Sequence, residues 1–132
     1  MPILSTLILK QNNLMDVINY EKFLLFITNI FNRYRRDVSY HNDLHGSDVA
    51  QHCSFLLNSQ RMNQYAQFEK MDTLALIVAA LCHDVGHDGY NNMYHKTTKS
   101  HIFQMFGEHA SVTSLRRMNR TCALSARTRC KD

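Results

Sequence analysis

The sequence predicts an all-α fold, a helical bundle, on three observations. Pro2 is the only proline and there are four glycines, so the residues that punctuate sheets and hairpins are scarce. Apolar residues recur at helical spacing in several separate segments. The 132 residues suit one domain or part of one.

The first predicted helical segment lies between Leu14 and Tyr34 and indicates one long helix or two helices joined near Tyr20. Its apolar residues near helical spacing are Leu14, Val17, Ile18, Leu24, Leu25, Ile27, Ile30, Phe31 and Tyr34. Asp37–Ser39 then forms a polar break with a candidate cap for the next helix.

A second helix is predicted from about Asn42 to Asn58. The residues expected on its buried side are Leu44, Val49, Phe55 and Leu56. A polar loop, Gln60–Gln67, follows.

A third helix is predicted to open near Asp72 and to pass through Leu74–Leu81, where every side is apolar. Such a helix is expected to be buried all round, and Gly86 and Gly89 are expected to end it. A short helical face further along is formed by Ile102, Phe103 and Phe106.

The net charge of +4 is confined to the C-terminal segment. Up to Leu115 acidic and basic residues nearly balance, whereas the remaining residues hold six Lys or Arg against Asp132 alone. This basic tail either attracts nucleic acid or an anionic membrane without specificity, or is a solvated, disordered end. We expect the second, and no specific nucleic-acid partner.

No segment is typical of a membrane or secreted protein. The longest clean apolar run, Leu74–Cys82, is less than half of the ~20 residues that a membrane span needs. Met1–Leu9 is apolar but lacks the basic start and the cleavage site of a signal peptide. The four cysteines form no Cys-x-x-Cys pair, which favours reduced thiols and excludes a zinc knuckle. We expect a soluble cytoplasmic protein.

All eight histidines lie between positions 41 and 109, and two tight groups stand out. His41 and His45 are four apart, so in a helix or its first turn they project in similar directions. His83, Asp84 and His87 occur where the apolar third helix is predicted to end. A carboxylate beside such low-dielectric surroundings is costly unless a positive charge holds it, and a divalent cation would do so.

Imidazoles and a carboxylate suit zinc, and three protein ligands with an open position are typical of a catalytic zinc site. We therefore predict His45, His83 and Asp84 as metal ligands, with a metal-bound hydroxide directed at phosphorus. Simpler interpretations stay open. His41 alone is more often a capping or surface histidine, and Asp48 is either a hydrogen-bond acceptor behind a ligand or merely exposed.

The segments that hold these histidines read YHNDLHGSDV (Tyr40–Val49) and HDVGHDGYNN (His83–Asn92). Together they resemble the two signature segments of the class I cyclic nucleotide phosphodiesterases, within the wider HD-domain phosphohydrolases. The chain from Phe23 through Val112 is similar to that family in order and spacing. The pair of motifs is highly specific, whereas either one alone is much weaker.

The resemblance implies an HD-type helical bundle that hydrolyses cAMP or cGMP to the 5′-monophosphate in cyclic nucleotide signalling. His41 would be the general acid that protonates the departing 3′ oxygen. Asp84 would bridge the zinc ion to a second metal, magnesium or manganese, and His87 would hydrogen-bond metal-bound water. The residues that would support the pocket are Tyr40, Asn42, Asp48 and Asn92.

The resemblance covers only the N-terminal part of the family's catalytic domain. Residues 1–112 are expected to form that part, and residues 113–132 a tail that does not match. The fourth metal ligand and the residues that read the base are therefore not assigned, and exposed apolar surface is expected to favour self-association. Two alternatives are a non-catalytic metal-binding or interaction fragment and a different HD-domain phosphohydrolase.

Overall fold

The structure is a computed structural model that describes residues 1–59, 65 and 67–107. These residues contain helices and no strand, which confirms the predicted all-α fold. The helices are α1 (Pro2–Gln11), α2 (Tyr20–Arg33), α3 (Asp43–Leu57), α4 (Lys70–Cys82), α5 (Asn92–Thr98) and α6 (His101–Phe106). The loop expected at Gln60–Gln67 and the basic tail lie largely or wholly outside the described residues.

The chain divides into two compact units, Met1–Val85 and Gly86–Asp132. The first unit contains α1–α4, with α3 packed on α4 and α1 in contact with both α2 and α3. Among the described residues, the buried core cluster belongs to this unit. Its members are Ile8, Leu9, Leu14, Phe23, Ile27, Ala50, Leu57, Ile77, Ala80 and Leu81.

The start of the chain corrects the first predicted segment. The helix α1 was not predicted, and Leu14–Asn19 is not helical although its apolar spacing indicated a helix. Asn13 has a left-handed backbone (φ 53°) just after α1, and Asn19 caps α2 by accepting the Lys22 N–H at 3.0 Å. These asparagines end one helix and begin the next, because their short polar side chains satisfy backbone groups outside a helix.

The bounds of α3 agree with the prediction, and Val49 is partly buried against the core as expected, but the other three residues predicted for the buried side are exposed. Leu44 and Phe55 are 73% and 72% exposed, and Leu56 is also exposed. The buried residues of α3 are Gly46, Ser47, Ala50, Ser54 and Leu57. Small residues at this spacing form a narrow stripe that allows close approach of a neighbouring helix, so close packing rather than side-chain size selected the face.

The buried serines of α3 have hydrogen-bond partners. Ser47 Oγ donates to the Asp43 carbonyl at 2.6 Å, and Asn12 Nδ2 donates to Ser54 Oγ at 2.7 Å. Because a buried hydroxyl is costly only when it is unpaired, this polar stripe remains compatible with a packed interface.

The third predicted helix exists as α4, yet it is not buried all round. Ile77 and Leu81 are fully buried, whereas Leu76 is 41% exposed and Met71 is exposed as well. Because α4 is apolar on every side, its sequence does not indicate which face packs against the core. Within the described residues, one face of α4 is buried and the opposite face is exposed. The helix ends at Cys82, before Gly86 and Gly89, so His83 and Asp84 follow it directly.

The cap of α3 comes from Asn42 and not from the polar break at Asp37–Ser39. Its Oδ1 accepts the N–H groups of Leu44 and His45 at 3.0 and 3.2 Å, and its Nδ2 donates to the carbonyls of Val38 and Ser39. One side chain therefore fixes both the first turn of α3 and the loop that precedes it.

We expect Asn42→Ala to lower the free energy of unfolding by about 1 kcal/mol, because two N–H groups of the first turn lose their acceptor. Urea denaturation followed by circular dichroism measures this loss. Asn42→Ser retains an acceptor oxygen and is expected to recover most of the stability. Equal losses in both variants would show that the cap is not the cause.

The second unit contains α5 and α6 in its described part. Asn91 caps α5, and Ser100 caps α6 by accepting the Phe103 N–H at 3.3 Å. The expected short helical face is present, because Ile102, Phe103 and Phe106 are all partly buried on α6.

Two further sequence expectations bear on the described residues. No helix among them is long and apolar enough to cross a membrane. Cys53 and Cys82 are free thiols, and burial raises the pKa of Cys82 to about 11, so this thiol stays protonated at neutral pH. Cys122 and Cys130 lie outside the described residues.

Candidate metal centre

The start of α3 and the end of α4 bring the predicted ligands together. His45 lies in the first turn of α3, and His83 and Asp84 follow the last residue of α4. Because α3 packs on α4, these two ends lie side by side in the first unit. One ligand atom from each of the three side chains lies within 4.8 Å of the other two.

The distances within this trio suit a single shared ion. Asp84 Oδ2 lies 3.0 Å from His83 Nε2 and 3.5 Å from His45 Nε2. Tetrahedral ligands held at ~2.0–2.2 Å from zinc are roughly 3.3–3.6 Å apart, which is close to these separations. The imidazole rings of His45 and His83 meet at an angle of 70° with their centroids 5.1 Å apart.

The hydrogen bond at the far side of His83 fixes its tautomer. A backbone carbonyl can only accept, so His83 Nδ1 carries a hydrogen and donates it to the Ala80 carbonyl at 2.8 Å. In the neutral ring Nε2 then presents a lone pair toward Asp84 Oδ2. Two electron-rich atoms 3.0 Å apart require a proton or a cation between them, and a divalent ion would satisfy both.

His41 contacts the same carboxylate oxygen from outside the helix. It precedes the cap residue Asn42, and its Nδ1 lies 2.7 Å from Asp84 Oδ2. Three imidazole nitrogens thus surround one oxygen of a side chain that is only 4% exposed. A buried carboxylate in this position needs compensating positive charge, which a bound cation would provide.

Of the residues on and before α3 that were expected to support the pocket, Tyr40 and Asn42 lie beside the histidines, whereas Asp48 is exposed. The ring of Tyr40 lies over His45 with centroids 4.5 Å apart and meets His41 edge-on at 5.0 Å. Asn42 acts through the cap described above. Asp48 is exposed one turn along α3, and its Oδ1 lies 3.4 Å from Nδ1 of the exposed His52.

The two remaining predicted site residues belong to the second unit. His87 is buried, and its Nδ1 accepts the Gly89 N–H at 2.9 Å, which leaves the ring hydrogen on Nε2. Asn92 is the first residue of α5 and is exposed. Their roles at the metal centre stay predictions.

The second unit also holds a buried histidine for which the sequence indicated no partner. His95 Nδ1 lies 2.9 Å from Ser100 Oγ, and its Nε2 lies 3.3 Å from Asp88 Oδ2. Ser100 and Asp88 are five and seven positions away from His95, on the flanking loops of a short helix, and within the described residues Nε2 lies near Asp88 without hydrogen-bond geometry. No simple helical spacing reveals such a pair, so a sequence pattern alone did not identify it.

The family model described as 3′5′-cyclic nucleotide phosphodiesterase matches residues 40–129. Probable 3′,5′-cyclic phosphodiesterase pde-5 of Caenorhabditis elegans is 36% identical over 104 residues, which are 79% of this chain and 13% of that protein.

Two vertebrate relatives give similar values. The rod cGMP-specific 3′,5′-cyclic phosphodiesterase subunit alpha of Bos taurus is 33% identical over 87 residues, which are 66% of this chain and 10% of that protein. The Homo sapiens subunit is 32% identical over 87 residues, which are again 66% of this chain and 10% of that protein. The chain therefore spans only about a tenth of the length of these relatives.

Proposed function

This chain belongs to the 3′,5′-cyclic nucleotide phosphodiesterase family, and on that premise we propose that it forms part of a catalytic domain that hydrolyses cyclic nucleotides to 5′-monophosphates. The observation that carries the proposal is the arrangement of three imidazole nitrogens around one buried oxygen of Asp84. The substrate is cGMP or cAMP. Because two of the relatives are named as cGMP-specific, cGMP is the first substrate to assay.

His45, His83 and Asp84 would hold a zinc ion, and the same aspartate would also contact a magnesium or manganese ion. When bound, these ions supply an activated water as nucleophile and offset the negative charge of the phosphate. The residues themselves fix the geometry. The hydrogen bond from His83 to the Ala80 carbonyl holds its ring so that Nε2 faces Asp84.

His41 would act as the general acid. Its Nδ1 is held by Asp84 at 2.7 Å, so Nε2 is the atom from which a proton would pass to the departing 3′ oxygen as the bond from that oxygen to phosphorus breaks. An imidazole suits this step because it exchanges protons near neutral pH.

The other predicted residues would complete the pocket. Tyr40 presents a largely exposed ring beside His41 and His45, which suits one wall of the substrate site. His87 would hydrogen-bond the attacking water, and Asn92 would support the pocket.

The test begins with the purified full chain, supplied with zinc and with magnesium or manganese. Bound metal is measured by atomic emission, and cGMP and cAMP turnover by chromatography of the 5′-monophosphates. We expect His41→Ala to lower turnover by about 10²–10⁴-fold, which is the usual contribution of a general acid, with zinc content unchanged.

His52→Ala is the matched control, because His52 is an exposed histidine of α3 that pairs with Asp48. It is expected to leave turnover and zinc content unchanged. If His41→Ala retains the turnover of the unsubstituted chain, His41 is not the acid. A folded chain that takes up no divalent metal would refute the metal centre itself.

A second candidate, a non-catalytic interaction fragment, is favoured by the apolar side chains that the described surface exposes. The most exposed of them on the first three helices are Ile3, Leu25, Leu44 and Phe55. Such a fragment would bind metal without turnover and would associate with itself or with a longer relative. Sedimentation velocity over a range of concentrations, combined with the turnover assay, distinguishes it from the enzyme.

A further inference from the structure

The side chain of Tyr34 connects the two helix ends that carry the predicted ligands. Tyr34 immediately follows α2 and is buried, and its hydroxyl donates to the Leu81 carbonyl at 3.0 Å across 47 positions of sequence. A buried tyrosine hydroxyl requires such a partner, because an unpaired one is costly. This bond therefore joins the end of α2 to the last turn of α4.

The carbonyl that accepts this bond lies at the place where α4 stops. If α4 continued as an α-helix, the Val85 N–H would donate to the Leu81 carbonyl. It donates instead to the Cys82 carbonyl at 3.3 Å. The last turn is therefore tightened, and the chain leaves the helix at His83. Because Tyr34 donates to the Leu81 carbonyl, it stabilises the turn from which His83 and Asp84 project.

The other side of the Tyr34 hydroxyl lies against α3. A Cβ atom added to Gly46 would lie only 2.6 Å from Tyr34 Oη, so the hydroxyl lies almost against the backbone there. Gly46 directly follows His45. The Tyr34 hydroxyl therefore lies between Gly46, which follows His45, and Leu81, which lies two residues before His83.

We propose that Tyr34 is a positioning residue that sets the spacing between His45 on α3 and the His83–Asp84 pair after α4. The inference rests on the proposed function, in that these three residues hold a divalent ion. Metal–ligand distances vary by only ~0.2 Å in good sites, so a small shift of one helix end is enough to weaken binding. In this proposal Tyr34 acts through the positions of these ligands, because its described contacts are with Leu81 and Gly46.

The test compares zinc affinity in Tyr34→Phe and in the unsubstituted chain by competition with a chromophoric chelator. The substitution keeps the ring and removes only the hydroxyl. We expect the zinc dissociation constant to rise about tenfold, within the range that supporting hydrogen bonds contribute to metal affinity. With cobalt(II) in place of zinc, the visible absorption bands are expected to shift, because the ligand geometry changes.

Ile27→Val is the matched control for stability. Ile27 is fully buried in α2, the helix that Tyr34 follows, and its truncation lowers stability without removing a bond to α4. We expect its zinc affinity to stay within twofold of the unsubstituted chain, even with a comparable fall in Tm. The proposal is overturned if Tyr34→Phe binds zinc as tightly as Ile27→Val and leaves the cobalt spectrum unchanged.

The outcomes also separate this proposal from the proposed function. An unsubstituted chain that binds zinc and hydrolyses cyclic nucleotide, together with an unchanged Tyr34→Phe, refutes only the positioning role. A folded unsubstituted chain that binds no divalent metal refutes the metal centre and the positioning role with it.

Discussion

Asp84→Asn is expected to reduce zinc affinity by about 100-fold or more and to abolish cyclic nucleotide turnover. The change keeps the size of the side chain but removes the only carboxylate of the trio, and with it the negative charge that faces the ion. Isothermal titration with zinc and the turnover assay measure the two effects. Far-UV circular dichroism checks that the helices remain.

Asp16→Asn provides the control for this prediction, because it makes the same chemical change at an exposed aspartate that pairs with Lys70, the first residue of α4. It is expected to alter neither zinc affinity nor turnover. Zinc affinity that survives in Asp84→Asn would show that the contacts around Oδ2 are ordinary hydrogen bonds of a buried acid and not a metal site.

Leu81→Ala is expected to lower the free energy of unfolding by about 2–5 kcal/mol, the usual cost of removing a fully buried leucine side chain. This is a large fraction of the ~5–15 kcal/mol that stabilises a typical domain. Leu81 also precedes His83 and Asp84 closely, so we expect zinc affinity to fall in the same variant. Urea denaturation with and without zinc measures both effects.

Leu76→Ala is the matched control on the same helix. Because Leu76 is 41% exposed, its truncation is expected to lower the free energy of unfolding by about 1 kcal/mol or less, which is well below the loss expected for Leu81→Ala. Equal losses at the two positions would mean that Leu76 is covered in the folded protein. The exposed face of α4 would then be an interface, as the self-association alternative requires.

The extent of α3 could be predicted from the sequence, and its buried face could not. The bounds follow from local chemistry, since Asn42 caps the first turn and the helix-forming residues continue to Leu57. The choice of face depends on what packs against the helix. Ala50 and Ser54 are buried because close approach of neighbouring groups excludes larger side chains, whereas Phe55 remains exposed.

At the start of the chain, burial could be predicted from the apolar residues, and the backbone conformation could not. The apolar spacing through Leu14 and Val17 is compatible with a helix, yet Leu14 is fully buried in a non-helical segment. Apolar residues are needed in the core whichever backbone carries them. The asparagines at 13 and 19 were the better guide to the helix ends.

The sequence by itself determined the all-α class, the family and the identity of the candidate ligands, because helical spacing and two specific motifs are local properties of the chain. Only the tertiary structure decided that His41, His45 and His83 meet at one oxygen of Asp84. It also decided that Tyr34 bridges the helix ends behind them. The physical reason is that contacts between residues some 40 positions apart depend on how closely two helices pack, and local periodicity carries no information on that distance.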